Sequence, residues 1–125
     1  MLRLMHESQQ FVCADDAFAV GDEIEWTCAL PKKYKNTQGM IIDLEKVHRE
    51  IATHNVKGKV VTILAERSEF PKGEKEECYD MAPTETEEIQ RADGLEKDLK
   101  NCDTTDGIFW GYFVELTDVT IRPIE

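Results

Sequence analysis

Hydrophobic and polar positions alternate most regularly between Phe18 and Leu30. Ile24, Trp26, Cys28 and Leu30 share one parity, and Glu23, Glu25 and Thr27 the other, which predicts a strand buried on one side. Gly21-Asp22 ahead of it is turn chemistry, because glycine accepts positive φ and an aspartate can bond the nearby backbone. Pro31 has no N–H to give to a ladder and is expected to end the strand. Upstream, Leu2 to Cys13 is strand-like, with a polar interruption from His6 to Gln10. Downstream the period changes. Met40, Leu44, Val47 and Ile51 recur at steps of four, three and four, beside Ile41 and Ala52. That spacing predicts an amphipathic helix of about 14 residues lying on an apolar surface. Glu45 with Arg49 and Lys46 with Glu50 would pair along its outer side at i,i+4. His48 flanks the stripe and is expected at the core edge.

From Asn55 to Phe70 strand character returns, with Val60, Val61, Ile63 and Leu64 in the run that Gly58 opens. Residues 71–107 form an acidic stretch punctuated by Pro71, Gly73, Pro83, Gly94 and Gly107. Within it Thr84-Glu85-Thr86-Glu87 fits a helix capping box. Ala92, Leu95, Leu99 and Cys102 follow helical spacing. The run from Ile108 to Ile121 reads as another strand. Tyr112, Val114 and Leu116 share one parity and Val119 and Ile121 the other, so a β-bulge is expected near Thr117-Asp118. Together these elements predict an α+β, mainly β domain spanning residues 1–125. Its architecture would be a strongly curved sheet or partly closed β-barrel. One amphipathic helix would pack on it, with an acidic, partly helical insertion over about 71–107.

Charge narrows the partners. The chain has 26 acidic and 15 basic residues, a net charge of −11, with 41% hydrophobic positions. Residues 66–106 carry a net −8 of this, which makes the insertion the main source. Such a surface repels phosphate backbones and anionic lipid, and so argues against direct nucleic-acid binding and against membrane binding. No apolar run approaches a membrane span or a signal peptide, so a cytoplasmic location is expected. Cys13, Cys28, Cys78 and Cys102 are expected to be free thiols there.

The segment Cys13-Ala14-Asp15-Asp16-Ala17-Phe18-Ala19-Val20-Gly21-Asp22-Glu23-Ile24-Glu25-Trp26 resembles the N-terminal motif of a family of small bacterial proteins of unknown function. There a cysteine precedes an acidic turn, Phe-x-Val-Gly-Asp and a strand carrying a tryptophan. Gly58-Lys59-Val60-Val61-Thr62-Ile63 is similar to its Gly-x-Val-x-x-Ile strand, and Gly111-Tyr112-Phe113-Val114-Glu115-Leu116 to its Gly-Tyr-x-Val-x-Leu ending. The family's paired cysteine and the aromatic residue before it are replaced by Ala14 and Gln9-Gln10, so no role for a cysteine pair carries over. The resemblance brings no activity with it. A shorter likeness, Phe-x-Val-Gly-Asp-x-Ile-x-Trp, is to RNA-associated β-barrel domains.

No catalytic or cofactor signature stands out. The cysteines lie 15, 50 and 24 positions apart, and His6, His48 and His54 form no close pair, which is not the spacing of a zinc site. Asp15 and Asp16 beside Cys13 would raise a thiol pKa and oppose thiolate formation. Neither a metal nor a cofactor is therefore expected. Glu23 and Glu25, on one strand face, are candidates to flank a ligand, although an alternating acidic face is commonly the solvent side of a sheet. Tyr34, within the basic cluster Lys32-Lys33-Tyr34-Lys35, is a candidate for stacking. Trp110 is a candidate contact because Phe109, Trp110, Tyr112 and Phe113 cannot all face inward. These features point first to a non-enzymatic module that binds a protein partner. The alternatives are a small-molecule-binding or enzymatic barrel with an acidic cleft, and an acidic nucleic-acid mimic that inhibits a DNA- or RNA-binding protein.

Overall fold

The computed structural model describes residues 1–7, 17–36, 39–69, 85–93 and 107–124, and within these the side chains of 67–69, 85 and 107–110 are not described. The described part is mainly β. Its strands are β1 (Leu2–Glu7), β2 (Phe18–Ala19), β3 (Glu23–Ala29), β4 (Leu44–Lys46), β5 (His54–Glu69), β6 (Glu85–Ile89), β7 (Arg91–Ala92) and β8 (Gly107–Pro123). Six of them form one sheet in the order β3-β4-β1-β8-β5-β6. An additional β3–β5 pairing, from Glu23↔Lys59 to Cys28↔His54, closes a ring of hydrogen-bonded strands. β2 and β7 make a separate two-stranded sheet through Phe18↔Ala92 and Ala19↔Arg91.

The ring is held by β5 and β8, paired antiparallel from His54↔Pro123 to Glu69↔Gly107. Strands of this length must bend to close on themselves, and register shifts do the bending. One shift lies between Lys57 and Lys59, opposite Thr117 and Thr120, where Asp118 takes a left-handed φ of 53°. This is the bulge anticipated from the parity switch. It lets Leu116 and Ile121 point to the same side despite their odd spacing. A second shift, between Val60 and Thr62, does the same for Val60 and Ile63, both fully buried. Gly58 sits where the strands approach closely: a Cβ there would meet the Thr117 carbonyl at 3.2 Å and Leu116 at 3.3 Å. The Gly21-Asp22 turn forms as the sequence implies. Gly21 has φ 95°, and Asp22 Oδ2 accepts from the Ala19 N–H at 2.9 Å.

The core fills the inside of the ring. Leu4, Phe18, Ile24, Cys28, Leu44, Val56, Val60, Ile63, Ala65, Ala92, Tyr112, Val114 and Leu116 pack into one cluster, with Trp26 and Ile89 partly buried against it. Strand β3 accordingly buries the face expected of it up to Cys28. Leu30 departs: it lies beyond the strand end and is 70% exposed.

Four expectations are corrected. The helix over Met40–Ala52 does not form: Leu44–Lys46 is strand β4, between β1 and β3, and the remainder is loop and turn. Leu44 and Val47 are buried, but Ile51, which closed the predicted stripe, is 65% exposed, and His48 is exposed rather than at the core edge. The segment supplies the strand the ring needs to close, and pairing with two neighbours outweighs a few tenths of a kcal/mol of helical preference per residue. The capping box is also not one, because Glu85–Ile89 is strand β6 and Thr86 pairs with Glu66. Residues 85–92 of the acidic stretch are consequently not a surface excursion, since Ala92 is fully buried in the core. Residues 71–84 and 94–106 of that stretch, including Leu95, Leu99, Cys78 and Cys102, lie outside the described residues, as do Ser8 to Cys13.

Candidate functional site

Alternation along β1 sends Leu4 and His6 inward, so Met5 and Glu7 face outward. Glu7 lies opposite Gly111 of β8, and Gly111 opposite Glu66 of β5. Two carboxyl-bearing residues thus flank a position without a side chain, at two strand spacings, about 10 Å between Cα atoms. Glu45 joins the same face opposite Met5. The segment from Leu30 to Asp43 brings lysines and an amide to this face. Lys32 Nζ is 3.9 Å from Glu7 Oε1, and the Asn36 amide and the charge of Lys33 both favour the ionised form of Glu66. Glu66 is only 2% exposed, and its Oε1 has no hydrogen-bond partner.

Burial raises the carboxyl pKa of Glu66 above its ordinary value, against the opposing pull of Asn36 and Lys33. Glu45 is raised too, first by burial, then by its hydrogen bond to Glu7 and that residue's charge, with Lys32 opposing. A protonated Glu45 can donate to the Glu7 carboxylate, so one proton is shared where two charges would repel. The carboxyls are covered rather than set in an open cleft. Their physical effect is to hold the covering segment by charge and hydrogen bonds.

That segment is a small hairpin. The Ile42 N–H donates to the Tyr34 carbonyl at 2.8 Å and the Asn36 N–H to the Met40 carbonyl at 2.9 Å, with Lys35 bridged to Ile41. Gly39, at φ 79°, makes the turn, and Asn36 Oδ1 accepts from the Met40 N–H at 2.9 Å. Pro31 and Ile42 are buried and anchor it. Tyr34 is 67% and Ile41 54% exposed, on opposite faces of the hairpin because the bridge pairs Ile41 with Lys35, and Leu30 is close in sequence. Lys33 and Lys35 alternate with Tyr34 on an otherwise acidic chain.

A second cluster lies inside the ring. His6 is fully buried, stacked on Phe18 (5.9 Å between centroids, 7° between planes) and edge-on to Trp26 at 5.2 Å and Tyr112 at 6.3 Å. Its Nδ1 lies 3.3 Å from the Glu7 carbonyl, an acceptor, which places a proton on that nitrogen. Cys28, also inside, is a free thiol whose pKa is pushed up to about 12, chiefly by burial, which keeps it protonated and unreactive.

At one end of the ring an open groove of about 710 Å³ is lined by Met1, Leu2, Asp43, Leu44, His54, Val119 and Ile121. Among the described residues no group of three His, Cys, Asp or Glu side chains is placed to hold a metal ion.

Glu23 and Glu25, singled out from the sequence, share one face of β3. Both are exposed on its outer side, and Glu25 Oε1 accepts from Asn55 Nδ2 at 3.1 Å. Tyr34 is on the hairpin, and Trp110 is in β8 with its side chain outside the described ones. Glu7, Glu45, Glu66 and His6 were missed. Glu66 follows a long apolar strand without a break and Glu45 sits inside an apolar stripe, the one signal that was open to reading.

The chain belongs to a family of unknown function (DUF6578), which it matches over residues 1–118. No curated protein and no solved structure matches it. Among the described residues no helix is long and apolar enough to cross a membrane.

Proposed function

We propose that this protein is a non-enzymatic interaction module and that the hairpin from Tyr34 to Ile42 is its docking element. One observation carries the reading. Tyr34 and Ile41 are exposed on a hairpin that is internally hydrogen-bonded and anchored by buried Ile42. Large apolar side chains carried on hydrogen-bonded backbone dock without ordering that backbone, and tyrosine is among the residues that anchor interfaces. Lys35 is exposed beside Tyr34 in sequence, so the fitting partner is a protein whose apolar pocket has an acidic rim.

The test compares wild type with Tyr34→Ala/Ile41→Ser, both bead-coupled and exposed to cell extract. A protein retained by the wild type and lost by a folded variant supports the reading. Equal retention by both removes the hairpin from it. The small-molecule reading has the groove in its favour, since 710 Å³ lies within the size range of ligand sites. A thermal-shift screen addresses it directly: a metabolite at about 100 times its Kd adds about 2.7 kcal/mol, and a shift abolished by a folded Ile121→Ser variant, at an exposed residue of the lining, would move the function to the groove.

A further inference from the structure

Among the described residues, the end of β8 has no strand on one of its two edges. β1 pairs with β8 from Glu7↔Gly111 only as far as Leu2↔Leu116. From Thr117 to Pro123 the strand keeps β5 on one side, and among the described residues no strand lies on the other. Among the described residues none pairs with the backbone groups on that side, and the same stretch places Val119 and Ile121 in the groove with Met1, Leu2 and Leu44. Ile121 and Met1 are among the exposed large apolar residues. A free edge beside apolar side chains is the usual template for strand addition.

The sequence of the edge says what fits it. Asp118-Val119-Thr120-Ile121-Arg122 is complementary to itself when run antiparallel. With a two-fold axis at Thr120, Val119 of one chain faces Ile121 of the other, and Arg122 comes level with Asp118, which stands in the bulge at the ladder's end with a left-handed φ of 53°. Each contact then occurs twice, as an isologous interface requires. Opposite charges and β-branched pairs directly across an antiparallel ladder stabilise it, whereas like charges there oppose it. The ladder has natural limits. Asp118 marks the bulge at one end, and Pro123, without an N–H, stops it at the other. We infer that two copies of this chain associate by antiparallel pairing of their β8 edges over Asp118–Arg122, which joins their grooves into one apolar strip. Five residues a side make a small interface, so the dimer is in equilibrium with monomer. None of the hairpin's residues takes part, and the inference stands apart from the function proposed for them.

Sedimentation equilibrium of the full chain tests it. A concentration-dependent monomer–dimer equilibrium is expected. Arg122→Glu puts two acids across each end of the ladder and should weaken the dimer about tenfold or more. Thr120→Asp, which places two carboxylates at the axis on ordinary extended backbone, should do the same. Asp118→Lys should also dissociate the dimer, and an equimolar mixture of the Arg122→Glu and Asp118→Lys chains should restore it as a heterodimer, because both cross-strand pairs are then opposite in sign. Thermal melts of each variant show that the fold is kept. The inference is overturned by a wild type that stays monomeric at every concentration, by a dimer that both Arg122→Glu and Thr120→Asp leave intact, or by a mixture that fails to pair.

Discussion

The two faces of β8 solve the same problem with different chemistry. Inward, Tyr112, Val114 and Leu116 are fully buried among aliphatic and aromatic neighbours, and the one imidazole there, His6, is walled by three rings. Outward, Phe113 is equally buried, but the residues around it are Met5 and the carboxyl-bearing Glu7, Glu45 and Glu66. The inner face is closed by the ring itself, so apolar packing suffices there. The outer face lies beneath a hairpin that carries lysines and an asparagine, and carboxyls give those groups something to bond. The outer face is thus tied to the protonation of its carboxyls.

The comparison is broken most directly from the inside. Ile63→Ala removes a fully buried side chain from the ring, and urea unfolding should show a loss of about 2–5 kcal/mol. A loss near zero would mean that the inner face is not the core. Trp26→Ala should cost less than the full penalty, about 2–3 kcal/mol against the 3–5 typical of an emptied aromatic site, because Trp26 is only partly buried against the core. A larger cost would place it fully inside.

The outer face is tested by pH. Glu45 and Glu66 have folded-state pKa values raised above the ordinary 4.5. Each therefore binds its proton more tightly in the folded protein. Their contribution is complete below the ordinary value and is lost as pH rises through the raised ones. Denaturation measured from pH 4 upward should show stability declining. Glu66→Gln, which cannot ionise, should flatten that decline. A profile parallel to wild type would take Glu66 out of the account. The smallest effect is expected at the exposed tip of the hairpin: Tyr34, at 67% exposure, rests on little, and Tyr34→Ala should change stability by no more than about 0.5 kcal/mol in a thermal melt. A larger change would make Tyr34 part of the cover.

Local pattern made much of the inner face legible. Period two across Ile24, Trp26 and Cys28 named the buried side of β3, Gly21-Asp22 named its entry turn, and the parity switch at Thr117-Asp118 named the bulge. These features depend on a side chain's own alternation and on local backbone preference, and a chain carries both wherever it folds. The stripe Met40, Leu44, Val47 and Ile51 satisfied helical periodicity equally well, yet Leu44–Lys46 became a strand because β1 and β3 had edges to fill. Polar residues around His6 read as an interruption, whereas the ring encloses the imidazole among aromatic faces contributed by β2, β3 and β8. Glu7, Gly111 and Glu66 lie far apart along the chain and meet only through the β1–β8–β5 register. The sequence by itself determined which faces of β3 and β8 are apolar and where the chain turns. Only the tertiary structure decided which strands are neighbours, and with that which carboxyls are buried together beneath which lysines, because burial and electrostatics depend on partners that no local pattern contains.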